Sequence, residues 1–336
     1  MRQLDRESAQ RGPVSGLDAG HHITALREDL VGTTTVVEAA RTALGPLGVF
    51  LPASFTSAIS IDLQRESVGR LERAGYRTTW TNEVVGGKDV FVQLAVLLAA
   101  TERMVFGTGI ANIWARPPQT MHGAAALLAQ AYPGRLVPAL GVGYPQQASS
   151  VGREFGSPLV TMRDYLSGMA EQTWPPAPEV PYPRIIGANG PKMLALAGEI
   201  ADGALPAALP AEFTAQARQI LGPDKLLVIG LSTVTDPDPD RARAMARDSV
   251  ANRIGLPSFV AILTRLGYPD QEIAEVSERL VDSIVAHGSP AAIAAKVREH
   301  LAAGADHVTL MPPLGSDPTD GIDQLEQLAP ALAEFT

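Results

Sequence analysis

Residues 187–193, "GANGPKM", combine the residue types that bind a phosphate group. Small residues end a predicted strand here, and Pro191 begins a predicted helix. The backbone amides and the dipole at the start of a helix attract phosphate, and Lys192 would add a positive charge. The alternative is an ordinary turn between a strand and a helix, because short glycine motifs often occur without a ligand.

Residues 107–114, "GTGIANIW", end another predicted strand with two glycines, an asparagine and a tryptophan. This segment is either a tight turn filled by an aromatic ring or a strand end shaped to hold something flat. It does not fit a dinucleotide-binding turn, because the third glycine is missing and so is the acidic residue about 20 positions further on.

The ends of the predicted strands carry few acids, bases or nucleophiles. Small and aromatic residues dominate them, as in Gly143-Tyr144 and Leu205-Pro206. A hydrolase or an aldolase would need a placed histidine, lysine or pair of carboxylates, and a phosphotransferase would need metal ligands. The histidines show no ligand spacing beyond the adjacent pair His21 and His22, so no metal site is expected. Such a smooth pocket favours an enzyme whose chemistry resides in a cofactor.

Alternating strand and helix patterns position these segments. Eight strands are predicted near residues 48, 79, 107, 139, 186, 206, 229 and 309. Each is followed by a helical pattern, and residues 240–303 are predicted as one long helical region with breaks. This alternation of apolar strands and helices implies a parallel sheet. Eight such units predict an α/β fold, a closed (β/α)8 TIM barrel with its site at the carboxyl ends of the strands.

The chain is predicted to consist of an N-terminal arm and one barrel domain. Residues 1–20 are polar and punctuated by glycine, and residues 1–44 are predicted to form a partly ordered arm. The alternative is an arm that packs on a neighbouring subunit or covers a site. Residues 45–336 form the barrel domain, with insertions at its mouth at about 144–182, which is rich in proline, and 240–290.

Composition excludes several classes of protein. The net charge of −9 without a basic stripe argues against binding nucleic acid. No run approaches about 18 apolar residues, so a membrane span is not expected, and the first residues lack a secretory pattern. The absence of cysteine removes disulfides, thiolate metal sites and cysteine nucleophiles. A cytoplasmic protein is expected.

Three motifs together resemble the bacterial-luciferase-like superfamily, and most of all its coenzyme F420-dependent oxidoreductase branch. They are "NEVVGGKDVFVQLAVLLAATE" (82–102), the segment from "ERMVFGTGIANIW" to "LGVG" (102–143) and "IIGANGPKMLALAGEIADGALP" (185–206). The resemblance covers about residues 45–315. It implies a TIM barrel of luciferase-like type, usually a homodimer, that binds F420 or FMN in its mouth. It also implies a bulge in the third strand with a non-prolyl cis peptide bond between Gly109 and Ile110, so that Ile110 supports a flat ring.

The resemblance and the strand ends together predict the site residues. The expected cofactor-binding residues are Asn82, Gly107, Thr108, Gly109, Ile110, Asn112, Gly143, Gly187, Ala188, Asn189, Gly190 and Lys192. The expected substrate-pocket residues are Phe55, Trp114, Arg116, His122 and Pro206. Arg116, Lys192 and Arg184 are expected to be available for the carboxylates of the F420 tail.

Departures from the family pattern set the expected direction of the reaction. Val84 stands where alcohol-oxidising relatives carry a catalytic histidine, and Gly143-Tyr144 replaces a Ser-His pair. Oxidation of an alcohol needs a base, so we expect a reductase that transfers hydride to an activated C=C or C=N bond. Tyr144 is the first candidate for the proton donor, and Glu83 is the second. Alternatively, Tyr144 walls the pocket and Glu83 pairs with an arginine such as Arg116.

Two other functions stay open at this stage. An FMN-dependent monooxygenase would use the same ring and phosphate sites, and oxygen chemistry would require FMN because a deazaflavin lacks the reactive N5. The other is a non-catalytic flavin-binding relative, because fold does not fix function. The expected substrate is a small molecule or a modified peptide, whose identity the sequence does not reveal.

Overall fold

The computed structural model describes residues 35–54, 57–236, 238–313, 315 and 317–336. Two of the expectations fall on other parts of the chain. Phe55, which is expected in the substrate pocket, and residues 1–34 of the expected arm lie outside the described residues.

Helix α1 (Val36–Leu44) lies within the stretch that the sequence assigned to the arm. The compact unit of the chain begins at Val36. Three apolar side chains of α1 are buried, and the Thr78 hydroxyl donates a hydrogen bond of 2.8 Å to the carbonyl oxygen of Leu44. The compact unit therefore starts before the predicted boundary at residue 45, because α1 packs against the strands.

The parallel strands are the central elements of the fold. They are β1 (Leu47–Phe50), β2 (Thr78–Thr81), β3 (Val105–Asn112), β4 (Leu136–Gly141), β5 (Ile185–Gly187), β6 (Gly203–Leu205), β7 (Leu226–Val234), β8 (Val285–His287) and β9 (His307–Met311). Strands β1 to β7 pair in chain order, and β9 pairs with both β7 and β1. Eight strands thus close a barrel, and the predicted (β/α)8 fold is confirmed.

Helices surround the barrel. Those between β1 and β6 are α2 (Ile61–Arg73), α3 (Val90–Ala99), α4 (Pro118–Ala131), α5 (Pro145–Ser149), α6 (Pro158–Met169) and α7 (Pro191–Ile200). Those after β6 are α8 (Ala211–Leu221), α9 (Pro239–Ile254), α10 (Pro257–Arg265), α11 (Asp270–Ala274), α12 (Glu278–Ile284), α13 (Pro290–Ala302) and α14 (Pro318–Leu328), followed by a 3₁₀ helix (Ala329–Phe335). The expected insertions therefore hold helices.

Strand β8 differs from the sequence prediction, which placed its residues inside a helical region. It pairs with Ser232–Val234, the last part of β7. Helix α12 ends at Ile284 and β8 begins at the next residue, so no turn residue separates the two elements. A strand of three residues is also too short for its side chains to show a period of two.

Two glycines of β3 leave room for aromatic rings from β2 and β1. A Cβ atom built on Gly107 would lie 2.2 Å from the buried ring of Trp80, and one built on Gly109 would lie 2.2 Å from the ring of Phe50. The rings of Phe50 and Trp80 are stacked with centroids 6.3 Å apart. Packing in the barrel wall thus accounts for both glycines.

A buried histidine completes this part of the core. The indole N–H of Trp80 donates to Nε2 of His307 at 3.0 Å, and Nδ1 of His307 lies 2.7 Å from the carbonyl oxygen of Gly45. Nε2 must therefore be the acceptor and Nδ1 the donor, which makes the ring neutral. Burial lowers the pKa of His307 to about 4.

Candidate functional site

The carboxyl end of β3 contains the predicted irregularity. The peptide bond between Gly109 and Ile110 is cis, and the register between β3 and β4 shifts between Gly109 and Ala111. The predicted bulge and its cis bond are thus confirmed.

Ile110 forms an apolar platform over the ends of two further strands. A Cβ atom on Gly141, at the end of β4, would lie 2.6 Å from Ile110 Cγ1, and one on Gly187, at the end of β5, would lie 3.1 Å from Cγ2. The side chain is only half-buried, so part of it remains open to a ligand. The predicted site residues included Gly187 but not Gly141. Gly141 could have been predicted because it is a glycine at the end of a strand.

The start of helix α7 is the second part of the site. Gly190 is its N-cap and Pro191 its first residue, and a Cβ atom on Gly190 would meet nothing within 4 Å. The Asn189 side chain accepts a hydrogen bond of 2.9 Å from the amide of Ala207, which ties this turn to the segment after β6. Lys192 is exposed. An open helix start beside a lysine fits a phosphate group.

Buried neighbours surround this turn. The amide of Ala188 donates to the carbonyl oxygen of Leu205 at 3.2 Å, so its backbone belongs to the sheet. Pro206 is buried, and its carbonyl oxygen accepts a hydrogen bond from Gly230. The structure thus gives Pro206 a place in the barrel wall, although it was expected in the substrate pocket.

Glu83 and Arg116 form a buried ion pair behind the bulge. Their side chains are 1% and 7% exposed, and both guanidinium Nη atoms contact the carboxylate. The carboxylate also accepts hydrogen bonds from the amides of Val90 at 3.1 Å and Asn112 at 2.8 Å. The backbone amide of Glu83 donates to the carbonyl oxygen of Ile110. Glu83 therefore holds the strand at Ile110 and at Asn112.

Arg116 has further contacts that leave it unavailable to a ligand. It pairs with Asp89 at 2.8 Å, and its guanidinium lies 5.2 Å from the centroid of the Phe91 ring. Burial alone would lower the pKa of Arg116, but its contacts with Glu83 and Asp89 raise it above its usual range. The expectation that Arg116 is free to bind substrate or the cofactor tail is therefore wrong, because two carboxylates occupy it.

The segment after β4 is held by side chains from β3 and its extension. Asn112 Oδ1 accepts from the amide of Trp114 at 3.0 Å, and the Trp114 indole donates to the carbonyl oxygen of Val142 at 2.7 Å. Gly143 has φ +55°, and a Cβ atom on it would lie 2.8 Å from Asn112 Nδ2. That Nδ2 is buried without a hydrogen-bond partner in the part of the chain that the structure describes. Tyr144, at the start of α5, is 59% exposed.

Residues 46–307 match the family model described as luciferase-like monooxygenase. The chain belongs to this family. It is 24% identical to 5,10-methylenetetrahydromethanopterin reductase of Methanolobus tindarius over 289 residues, which cover 73% of this chain and 88% of that relative.

Two solved structures show the same luciferase-like fold. An F420-dependent secondary alcohol dehydrogenase in complex with an F420-acetone adduct has a TM-score of 0.68 and 17% identity, covering 86% of this chain and 99% of that one. Coenzyme F420-dependent tetrahydromethanopterin reductase of Methanopyrus kandleri has a TM-score of 0.64 and 20% identity, covering 88% and 100% of the two chains.

Several expected residues of this luciferase-like chain lie away from the platform or face the barrel wall. Thr108 is buried, and its hydroxyl bonds the backbone of Ala139 at 2.7 and 2.8 Å. His122 lies 2.6 Å from the Tyr182 hydroxyl in a separate cavity of about 740 Å³ that residues 169–182 partly line. Burial and then the charge of Arg184 lower the pKa of His122. His122 is thus a neighbour of the insertion, not of the platform.

A second cavity, of about 750 Å³, lies beside the ends of β1 and β2. Asn82 and Val84 line it, as does Lys88, a residue that the sequence prediction omitted. The Lys88 ammonium donates to the Thr81 hydroxyl at 3.2 Å. Burial lowers the pKa of Lys88, an effect that the charge of Glu83 partly opposes. The rarity of lysine could have drawn attention to Lys88 in the sequence, because the chain has three other lysines.

None of the helices in the described ranges is long and apolar enough to cross a membrane. No group of three or more His, Cys, Asp or Glu side chains in those ranges could hold a metal ion.

Proposed function

We propose that the protein is a coenzyme F420-dependent oxidoreductase that works as a reductase on an activated C=C or C=N bond. The observation that carries the proposal is the pairing of the Ile110 platform with the open start of α7, at the ends of β3 to β5. The relative and the two structures named above, which are an alcohol dehydrogenase and reductases, support this class.

The residues at the mouth suit a flat ring that carries a phosphate. Ile110 would contact the ring from behind, and the amides of Gly190 and Lys192 would donate to the phosphate. A side chain at position 143 would collide with Gln147 and Asn112, so glycine there keeps these two side chains in place at the mouth. When bound, F420 supplies a deazaflavin carbon that gives or takes hydride.

The proposed direction of transfer is supported by the lack of a free base at positions 83 and 84 in the described part of the mouth. Val84 is apolar, and Glu83 is held by Arg116 and two backbone amides. An alcohol substrate would need one such group to take its hydroxyl proton. Reduction needs a proton donor instead, and the exposed Tyr144 hydroxyl is the group that we assign to this role. The substrate is proposed to be a small molecule or a modified peptide.

An FMN-dependent monooxygenase is the second candidate, because the matching family model is described as luciferase-like monooxygenase. The same platform and helix start would serve FMN. A non-catalytic relative would bind the cofactor but turn over no acceptor.

The test is a pair of fluorescence titrations of the purified protein, one with F420 and one with FMN. We expect micromolar or tighter binding of F420 and weaker binding of FMN. Gly190→Glu should weaken binding by about tenfold, because a carboxylate at the helix start repels phosphate. Gly190→Gln is the matched control of equal size, and the open space around Gly190 tolerates both.

The other outcomes each point elsewhere. Preference for FMN would favour the monooxygenase, which an oxygen-consumption assay would then measure. Binding of F420 without reduction of any unsaturated acceptor would favour the non-catalytic relative. If neither molecule binds, the assignment of the platform as a ring site is refuted.

A further inference from the structure

A histidine and an aspartate form a pair at the carboxyl end of β8, outside the site described above. Nε2 of His287 lies 2.8 Å from Oδ1 of Asp282. The imidazole is 12% exposed and the carboxylate is 53% exposed. Because an ionised carboxylate only accepts, Nε2 carries the hydrogen, and Nδ1 has no hydrogen-bond partner among the described residues. A carboxylate that holds one imidazole nitrogen and leaves the other free is typical of histidines that transfer protons.

Strand β8 continues the barrel wall beyond the end of β6. Ser232 of β7 pairs with Met311 of β9 on one side and with Val285 of β8 on the other. Strand β8 therefore lies on the β6 side of β7, beyond the bridge that joins Ala207 to Gly230. Both β8 and the platform thus stand at the carboxyl end of the barrel.

Three half-buried apolar side chains form the floor of the barrel mouth. Ile110, Ala207 and Met311 all pack against the same inner cluster of barrel side chains. A Cβ atom on Gly230 would lie 2.9 Å from Met311 Sδ and 2.8 Å from Ala207 Cβ. Gly230 therefore faces the barrel interior, and the platform shares one floor with this part of β7.

The register of β8 places His287 on the mouth side of the sheet. Side chains alternate along a strand, so Ser232 and Val234 lie on the same inward face as Gly230. Paired residues of neighbouring parallel strands also share a face, and Val234 pairs with His287. The imidazole therefore lies on the inward face, two residues beyond the level of Met311.

The width of the barrel brings His287 within reach of a molecule on this floor. Strands β3 and β7 are four strands apart in the closed barrel of eight, so they face each other. Eight strands about 4.8 Å apart and tilted by about 36° enclose a barrel about 15 Å across. A ring on Ile110 thus leaves room for a small molecule between itself and the opposite wall, where β8 stands.

We propose that His287, oriented by Asp282, is a catalytic residue of this mouth and protonates the nitrogen of a C=N acceptor. The proposal rests on the proposed function and narrows its acceptor to a C=N bond. An amine nitrogen binds a proton more tightly than imidazole does, so the transfer is favourable, and histidine regains its proton from water near neutral pH. A C=C acceptor takes its proton at carbon, and Tyr144 remains the donor assigned to that case.

The proposed step balances in atoms and electrons. Hydride from the reduced cofactor forms a C–H bond at the imine carbon, the π bond breaks, and its electron pair moves to the nitrogen. That nitrogen takes the Nδ1 proton of the imidazolium and forms an N–H bond. The substrate is reduced by two electrons, and the cofactor is oxidised by two. The neutral ring keeps its Nε2 hydrogen bond to Asp282, and Nδ1 takes a new proton from water.

The first test is the reduction of 2-methyl-1-pyrroline, a cyclic imine, by the full chain with reduced F420. His287→Gln should slow the single-turnover rate by about a hundredfold or more, the usual contribution of a general acid, without changing the affinity for F420. Asp282→Asn still accepts a hydrogen bond from Nε2 but loses the charge, so a smaller loss is expected. His122→Gln is the matched control, because His122 also bonds a side chain but lies away from the platform, and it should react as wild type does.

The second test does not depend on turnover. Nitrogen NMR of the protein with oxidised F420 follows the imidazole of His287, which the spectrum of His287→Gln identifies. We expect 2-methyl-1-pyrroline to shift the Nδ1 resonance, whereas a pair with only a structural role would not respond to the imine. Should His287→Gln fail to fold, Asp282→Asn identifies the same ring through its Nε2 resonance, because Asp282 is exposed.

The outcomes separate this inference from the proposed function. An unchanged rate in His287→Gln, or an Nδ1 resonance that the imine does not shift, refutes the role of His287. If F420 binds and 2-cyclohexen-1-one is reduced but the imine is not, the proposed function stands and the C=N assignment is wrong. If F420 does not bind the wild type, the proposed function is refuted and this inference with it.

Discussion

Replacing Glu83 by glutamine tests whether this carboxylate braces the platform or donates a proton. The carboxylate accepts hydrogen bonds from the amides of Val90 and Asn112 and from both Nη atoms of Arg116. Glutamine has the same length but one carbonyl oxygen and one NH₂ group. The NH₂ group would face donors, so about half of these hydrogen bonds would be lost.

The expected loss of stability can be worked from these contacts. Each lost hydrogen bond to a charged group is worth about 1.5 kcal/mol or more, and breaking a buried ion pair from one side costs about 3–5 kcal/mol. Asp89 still pairs with Arg116 in the variant, which places the expected loss near the lower limit, at about 3 kcal/mol. The affinity for F420 should fall as well, because the Glu83 carboxylate holds the backbone at Asn112, two residues after Ile110.

Urea denaturation followed by circular dichroism measures this loss. Adding Arg116→Met to Glu83→Gln should restore part of the stability, since the poorly paired buried charge is then removed. Glu199→Gln is the control, because its ion pair with Arg163 is exposed, and the denaturation midpoint should not change. If Glu83→Gln unfolds at the wild-type midpoint but loses turnover, Glu83 is the proton donor and the bracing role is refuted.

Three further predictions concern stability and assembly. Burial lowers the pKa of both His307 and His300 to about 4, from an ordinary value of 6.5. Between pH 6.5 and pH 4 the unfolded chain therefore binds more protons than the folded one. As the pH falls from 7 to 5, each histidine should lower the free energy of unfolding by about 2 kcal/mol. A urea midpoint that stays constant over this range would contradict the burial of the two rings. Gly107→Ala should destabilise the protein by about 1–3 kcal/mol, because its Cβ would lie 2.2 Å from the Trp80 ring, whereas Gly190→Ala should unfold as wild type does. The family resemblance predicts a homodimer, which light scattering coupled to size-exclusion chromatography measures; a monomeric mass would refute it.

Some of the site could be predicted because it depends on short-range patterns. Helix α7 begins at Pro191, as the proline indicated. The position of the cis bond after Gly109 came from the family resemblance, not from any local property of the sequence. Strand β8 was missed because it continues directly from α12 without a break in the apolar pattern.

The remaining features depend on contacts between residues distant in the sequence. Hydrogen bonds run from Lys88 through Thr81 and Gln93 to Gln64 and so connect β2 with α3 and α2. No spacing of these residues in the sequence predicts the connection. The pairing of Glu83 with Arg116 was only one of two alternatives at the sequence level. From the sequence alone, a charged residue at a strand end can be interpreted as a catalytic group or as a structural ion-pair partner. Only its contacts in the structure distinguish the two roles.

The glycines of "GTGIANIW" have a packing role that the sequence analysis did not include. At Gly107 and Gly109, rings from β2 and β1 occupy the space that a side chain would take. Gly141 and Gly187 are filled in the same way by Ile110 itself. A neighbouring side chain thus packs against the backbone at each of these glycines. Close packing of this kind limits movement of the backbone. The platform is therefore expected to be rigid before any ligand arrives, which favours binding because little order remains to be imposed on it.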